Sequence, residues 1–225
     1  MINLDNHPSQ KRWTPWLDEK EALEREPLFS FLVSVSVRGE EDRQYVREYL
    51  IDHFGSLAEL LSLSQSDRHS FPYKEPSFLV LIQILKELAL RYNRECLPGI
   101  DLLENEQDLL DYLVVQMARE PVEQFRVLFL DQKNQLILDE LQAKGTVNHT
   151  PVYPREIVKR CLELKAASII MVHNHPSGHE NPSEDDIVMT QHVQLALNLF
   201  RIRVADHYII TRSAQVSFRR LGLLS

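Results

Sequence analysis

Apolar positions along this chain follow two different periods. From Glu41 to His53 they fall at Tyr45, Val46, Tyr49 and Leu50, the spacing of one helix face, and Gly55 fits a stop. Ser56 is placed to cap a short helix over LAELLSL. Ser77 is placed to cap a longer one, FLVLIQILKELALRYNRE, whose apolar content predicts burial. Pro27 to Val37 ends in VSVSV, which alternates like a strand in isolation, but its helical neighbourhood favours a bundle over residues 27–96. Glu104 to Arg119 is amphipathic, with Leu109, Leu110, Leu113, Val114 and Met117 on one face, and Glu120-Pro121 ends it, because a residue before proline avoids helical angles.

The period changes after that proline. Phe125 to Leu130 (FRVLFL) predicts a buried strand, 131–134 a polar turn, and Gln135 to Leu141 a second strand, together a hairpin. Pro154 opens a helix, at a position where its missing N–H costs nothing. Ala167 to His173 predicts a strand, Ser183 to Phe200 a helix, and Ile202 to Thr211 and Ala214 to Phe218 closing strands. Residues 1–24 read as a tail that Trp13 and Trp16 could pin, residues 25–98 as a helical domain, and residues 103–225 as a mixed α/β domain, with LPGID as the linker.

Composition narrows this picture modestly. Of 225 residues, 44% are hydrophobic and 26% charged, as in ordinary globular proteins. The net charge of −8 and pI near 5.6 argue against broad nucleic-acid binding, which needs a basic face. Two distant cysteines, Cys96 and Cys161, give no disulfide framework and favour a reducing compartment. The polar, proline-broken N-terminus does not read as a signal peptide, and no apolar run reaches membrane-span length. The expected location is the cytoplasm, with no membrane partner.

The chemistry concentrates in MVHNHPSGHENPSEDD, from Met171 to Asp186. Residues i and i+2 of a strand share a face, so His173 and His175 leave a strand end side by side. Asp186 can add an oxygen ligand. Three protein ligands with one open position suit a catalytic zinc. Ser183 and Asp186 also have the spacing of a capping box, a structural role that need not exclude a chemical one. Asn174 is placed to orient the loop or touch substrate. His179 lies off this pattern and is expected to be solvated. Other zinc hydrolase signatures fit worse: P-C-x-x-C, H-x-H-x-D-H and H-E-x-x-H are all missing.

The run His173, His175, seven residues, Ser183 and Asp186 resembles the JAMM motif of MPN (or JAB) domains, H-x-H-x7-S-x-x-D, without gap or substitution. VLFLDQKNQLI, Gly145-Thr146, VYPREIVKRCLELKAASII and RVADHYII with VSFRRLGLL resemble one branch, the bacterial RadC-like proteins, over residues 103–225. The resemblance implies an α/β (α+β) MPN/JAB domain with a mixed sheet flanked by helices. It implies one zinc ion held by His173, His175 and Asp186, a zinc-activated water, and a glutamate that accepts the proton and returns it to a leaving amine. Glu123, just before the first strand, matches that glutamate. Glu140 and Glu156 are weaker matches, late in a strand and inside a helix. Ser183 matches the serine that stabilises the oxyanion. The implied function is zinc-dependent hydrolysis of amide or isopeptide bonds in a protein or peptide, as in JAMM-type metalloproteases. The alternatives are a DNA repair or recombination accessory and a non-catalytic zinc-stabilised interaction module. Asp206-His207 follows a dipeptide of the same family and is assigned either a contact behind the metal ligands or strand packing.

The first half departs from the family. RadC-like proteins carry a helix-hairpin-helix there whose glycines present backbone N–H groups to a phosphate. FGSLAELLSLS and ILKELALRYNRE resemble its remnants, but no glycine lies between Gly55 and Gly99, and the hairpin position holds SDRHSFPYKEPSF. DNA binding is therefore not favoured. This degenerate half is read as a helical module for docking, homodimerisation or substrate presentation. Substrate choice is expected in the loop from Ala143 to Tyr153.

Overall fold

The computed structural model describes residues 27–63, 71, 76–145 and 152–224. The tail with Trp13 and Trp16, most of the hairpin position at 66–78 and most of the loop at 143–153 lie outside those residues. The chain forms two compact units, 1–86 and 87–225. No helix among the described residues is long and apolar enough to cross a membrane.

The first unit holds α1 (Pro27–Ser36), α2 (Glu40–His53), α3 (Leu57–Leu61) and the first part of α4 (Pro76–Glu95). Its core is built on Phe29, Val33, Val46, Leu50, Leu60 and Phe78. The VSVSV end of α1 is helical. Phe29, Leu32, Val33 and Ser36 are buried at i, i+3, i+4 and i+7, and the hydroxyls of Ser34 and Ser36 donate back to the carbonyls of Phe31 and Leu32. Gly39, with φ of 83°, supplies the left-handed turn before α2. Ser56 caps α3, accepting from the Glu59 N–H at 3.2 Å. Ser77 does not cap α4, which starts at Pro76; its hydroxyl donates instead to the Ser36 carbonyl at 2.9 Å.

The second unit is a five-stranded mixed sheet in the order β2-β1-β3-β4-β5. Its strands are β1 (Gln124–Leu130), β2 (Leu136–Lys144), β3 (Ser168–Asn174), β4 (Arg203–Ile210) and β5 (Gln215–Ser217). Only β3 and β4 are parallel, and α7 (Glu184–Asn198) makes the crossover that parallel neighbours need. β1 is antiparallel to both β2 and β3. α5 (Glu106–Met117) covers one face, packing Leu109, Leu113 and Met117 on Leu128, Ile170 and Val172. α6 (Pro154–Leu164) and α7 cover the other, packing Ile157, Cys161, Val193 and Leu197 on Phe125, Val127, Ile169 and Met171. The central strands therefore read as unbroken apolar runs. Leu97, which opens the LPGID segment, and Leu102, which follows it, are buried in the α5-side core.

A buried ion pair completes that side. Arg126 reaches Asp139 through two nitrogens, at 2.9 and 3.1 Å, and Tyr112 of α5 donates its hydroxyl to the same carboxylate. Burial, with the Asp139 charge beside it, pushes the Tyr112 hydroxyl pKa well up.

Candidate metal centre

In an α/β sheet, ligands gather beyond the carboxyl ends of parallel strands. The candidate site lies there, between the end of β3 and the start of α7. His173 faces the α6 and α7 side and is almost fully buried, while Asn174 faces the other side. His175 follows the strand, its N–H donating to the Ile210 carbonyl at 3.0 Å. Gly178 then turns the chain at φ of 82° and donates back to the His175 carbonyl at 3.0 Å. This turn brings the His179 carbonyl to 2.7 Å from His175 Nδ1. A carbonyl only accepts, so Nδ1 of His175 carries the hydrogen and, in the neutral ring, Nε2 keeps a lone pair. The His179 ring itself is on an exposed residue.

Ser183 is the N-cap of α7 and Asp186 its N3 residue, in a complete capping box. Asp186 N–H donates to Ser183 Oγ at 3.1 Å. Ser183 returns its N–H at 2.8 Å and its hydroxyl at 2.6 Å to Asp186 Oδ2. The cap thereby orients the carboxylate.

Three donor atoms converge. His173 Nε2 and His175 Nε2 are 2.9 Å apart; Asp186 Oδ1 lies 3.3 Å from the first and Asp186 Oδ2 lies 3.6 Å from the second. Donors about 2.0–2.1 Å from one tetrahedral ion are about 3.3 Å from each other, so these spacings suit a zinc-sized cation. Among the described residues, this is the one group of three His, Cys, Asp or Glu side chains close enough to hold a metal ion. The charges agree. Burial alone would raise the Asp186 pKa, but His173, His175 and the Ser183 hydroxyl outweigh it and hold the carboxyl well below the usual carboxylate range. The Asp186 carboxylate, 3.6 Å from His175 Nε2, raises the His175 pKa. Burial opposes this, while the His179 carbonyl and the charges of Asp186 and Glu123 add to it.

Glu123 sits one residue before β1, half-buried. Phe125 pairs with His173, so strand alternation puts Glu123 on the histidine side, and its charge is felt at His175. Asn174 holds the segment from the opposite face. Its Oδ1 accepts the Gln124 N–H at 2.8 Å, and its Nδ2 donates to the carbonyls of Val122 at 3.2 Å and Glu120 at 3.4 Å. The residue between the histidines thus clamps both sides of Glu123. Glu140 instead pairs with Arg160 at 2.9 Å, and Glu156 pairs with Arg155 near the start of α6.

Behind the donors lies His207, fully buried between Phe125 and Phe218, with its Nε2 2.8 Å from His173 Nδ1. Burial pushes its pKa well below the imidazole range. A bulge in β4 puts it there. Ile169 pairs with Val204 but Ile170 pairs with Asp206, so Ala205 is extra and the alternation changes phase. Thr190 completes the group, its Oγ1 2.7 Å from His207 Nδ1. Thr190 carried no sequence signal beyond lying four residues after Asp186 on a helix.

A mixed five-stranded sheet between helices, with H-x-H at a strand end and an aspartate in the next helix turn, defines a JAB (MPN) domain. Within that class the chain belongs to the RadC-like JAB domain family, whose family model matches residues 103–223. It is 42% identical over 184 residues to a UPF0758 protein of Rhodobacter capsulatus, covering 82% of this chain and 86% of that one. It is 40% identical to a UPF0758 protein of Ruegeria pomeroyi, covering 82% of each chain. A UPF0758 protein of Methylibium petroleiphilum is 37% identical over 203 residues, covering 90% of this chain and 91% of its own.

Proposed function

We propose that this protein is a zinc-dependent hydrolase of amide or isopeptide bonds in a protein or peptide substrate. The observation that carries this is the convergence of His173 Nε2, His175 Nε2 and the Asp186 carboxylate on one point. Zinc held there would lower the pKa of a water toward neutrality and polarise the substrate carbonyl. The remaining work falls to the chain. Glu123, on the same side as the histidines, takes the proton of the attacking water and hands it to the leaving amine. Asn174 keeps Glu123 in register with the ligands by bonding both of its neighbours. Ser183 holds Asp186 through its hydroxyl; turned toward substrate, the same hydroxyl supplies a hydrogen to the developing oxyanion.

The test is metal analysis joined to a proteome-wide cleavage screen, with Glu123→Gln beside wild type. Loss of a general acid–base group costs about a hundred- to ten-thousand-fold in rate. Glu123→Gln is therefore expected to keep its zinc and lose cleavage. Undiminished cleavage by that variant would remove Glu123 from the mechanism.

A further inference from the structure

A file of polar groups lies behind His173. It runs from His173 Nδ1 to His207 Nε2 at 2.8 Å, and from His207 Nδ1 to Thr190 Oγ1 at 2.7 Å. It ends on the Asp186 backbone carbonyl, which accepts from Thr190 Oγ1 at 2.6 Å. It thus starts on one candidate ligand and closes on the main chain of another. We propose that Thr190 and His207 are positioning residues for the metal: together they keep the hydrogen of His173 on Nδ1 and its Nε2 lone pair turned to the ion, resting on the assignment of His173, His175 and Asp186 as ligands.

An ion on His173 Nε2 uses the lone pair there, so the ring hydrogen is on Nδ1 and points at His207. His207 Nε2 must accept it. The neutral His207 then carries its own hydrogen on Nδ1, which points at Thr190, and the threonine oxygen must accept. A hydroxyl has one hydrogen, and that hydrogen needs a different acceptor. The Asp186 carbonyl is that acceptor. Both ends of the chain are therefore satisfied in a space where His207 and Thr190 are buried.

The same chain can run backwards. Thr190 then donates to His207, His207 donates to His173 Nδ1, and His173 Nε2 carries a hydrogen toward the lone pair of His175 Nε2, 2.9 Å away. In that sense His173 cannot bind a metal. The metal-binding sense requires a threonine oxygen that accepts from His207. The β4 bulge, by turning His207 to this side, makes the connection to β3 and α7 at all.

Valine has the shape of threonine without the hydroxyl. Thr190→Val leaves the His207 Nδ1 hydrogen without its acceptor and favours the backward tautomer. Changes behind a metal ligand typically weaken metal affinity about 10- to 100-fold. The experiment measures zinc affinity of the full chain by competition with a chromophoric chelator, for wild type, Thr190→Val and Thr190→Ser. The expected result is a loss of about 10- to 100-fold for Thr190→Val and affinity close to wild type for Thr190→Ser. A packing role reverses the order, because valine keeps the methyl contact that serine loses. Wild-type affinity in Thr190→Val, or an equal loss in both variants, would overturn the proposal. Absence of zinc binding in wild type would remove the ligand assignment as well, which separates the two failures. Nitrogen-15 spectra of histidine-labelled, zinc-loaded wild type give a reading without any variant: His173 and His207 are both expected to carry hydrogen on Nδ1. An Nε2–H form of His207 would contradict the chain.

Discussion

Among the proposed ligands, His175 is one at which protons would compete with the metal. The neighbouring Asp186 carboxylate raises its pKa against the opposing effect of burial. A raised value means that the ring holds its proton at a higher pH than free histidine does, so competition begins above about pH 6.5. Zinc binding must expel that proton. Affinity is therefore expected to fall as pH falls through that range, approaching about tenfold per pH unit below the His175 pKa. Asp186 is held low and adds nothing to this slope near neutrality. In the metal-free protein, protonated His175 is stabilising; that contribution is full below about pH 6.5 and is lost as pH rises through the folded value. Zinc titrations at several pH values check this, and a flat affinity between about pH 6 and pH 8 would contradict it. The positions of His173, His175 and Asp186 were legible because each is fixed by local spacing, two residues along a strand or three along a helix start. Thr190 and the clamp made by Asn174 were not legible, because their bonds span 17 and 50 residues.

At the scale of elements, the start of α7 ties stability to the site. Ser183 caps the helix and, through the same atoms, fixes the Asp186 carboxylate. Ser183→Ala is expected to cost about 1 kcal/mol of stability and to weaken zinc affinity, while Ser183→Thr keeps both. Thermal melts and zinc titrations of the two variants check this, and unchanged zinc affinity in Ser183→Ala would show that the cap does not orient the ligand. Strands were read within a residue or two where turns and prolines bound them, as for Phe125–Leu130 against Gln124–Leu130. β2 ran three residues beyond its reading, to Lys144. The β4 bulge had no signature. VADHYII is buried on both faces, so there was no polar alternation whose phase could reveal the change. The face presented by His207 could be known only from pairing. VSVSV in α1 shows the opposite case, where apparent alternation is overridden by serine hydroxyls bonded back along a helix.

At the scale of the molecule, the metal centre lies wholly within residues 87–225. The family match begins at Leu103, but Leu97 and Leu102 are fully buried in the core beneath α5. Losing one buried leucine side chain costs about 2–5 kcal/mol. A fragment of residues 103–225 is expected to melt well below one of residues 87–225, while the longer fragment binds zinc like the full chain. Equal melting temperatures would show that the two leucines contribute little. The proposed hydrolysis rests on a zinc ion held by His173, His175 and Asp186, with Glu123 carrying the proton. Zinc content and substrate cleavage, measured side by side on wild type and Glu123→Gln, test it most directly. The expected result is one zinc per chain in both proteins and cleavage products in wild type alone. Wild type without stoichiometric zinc, or the same cleavage products from both, would contradict it.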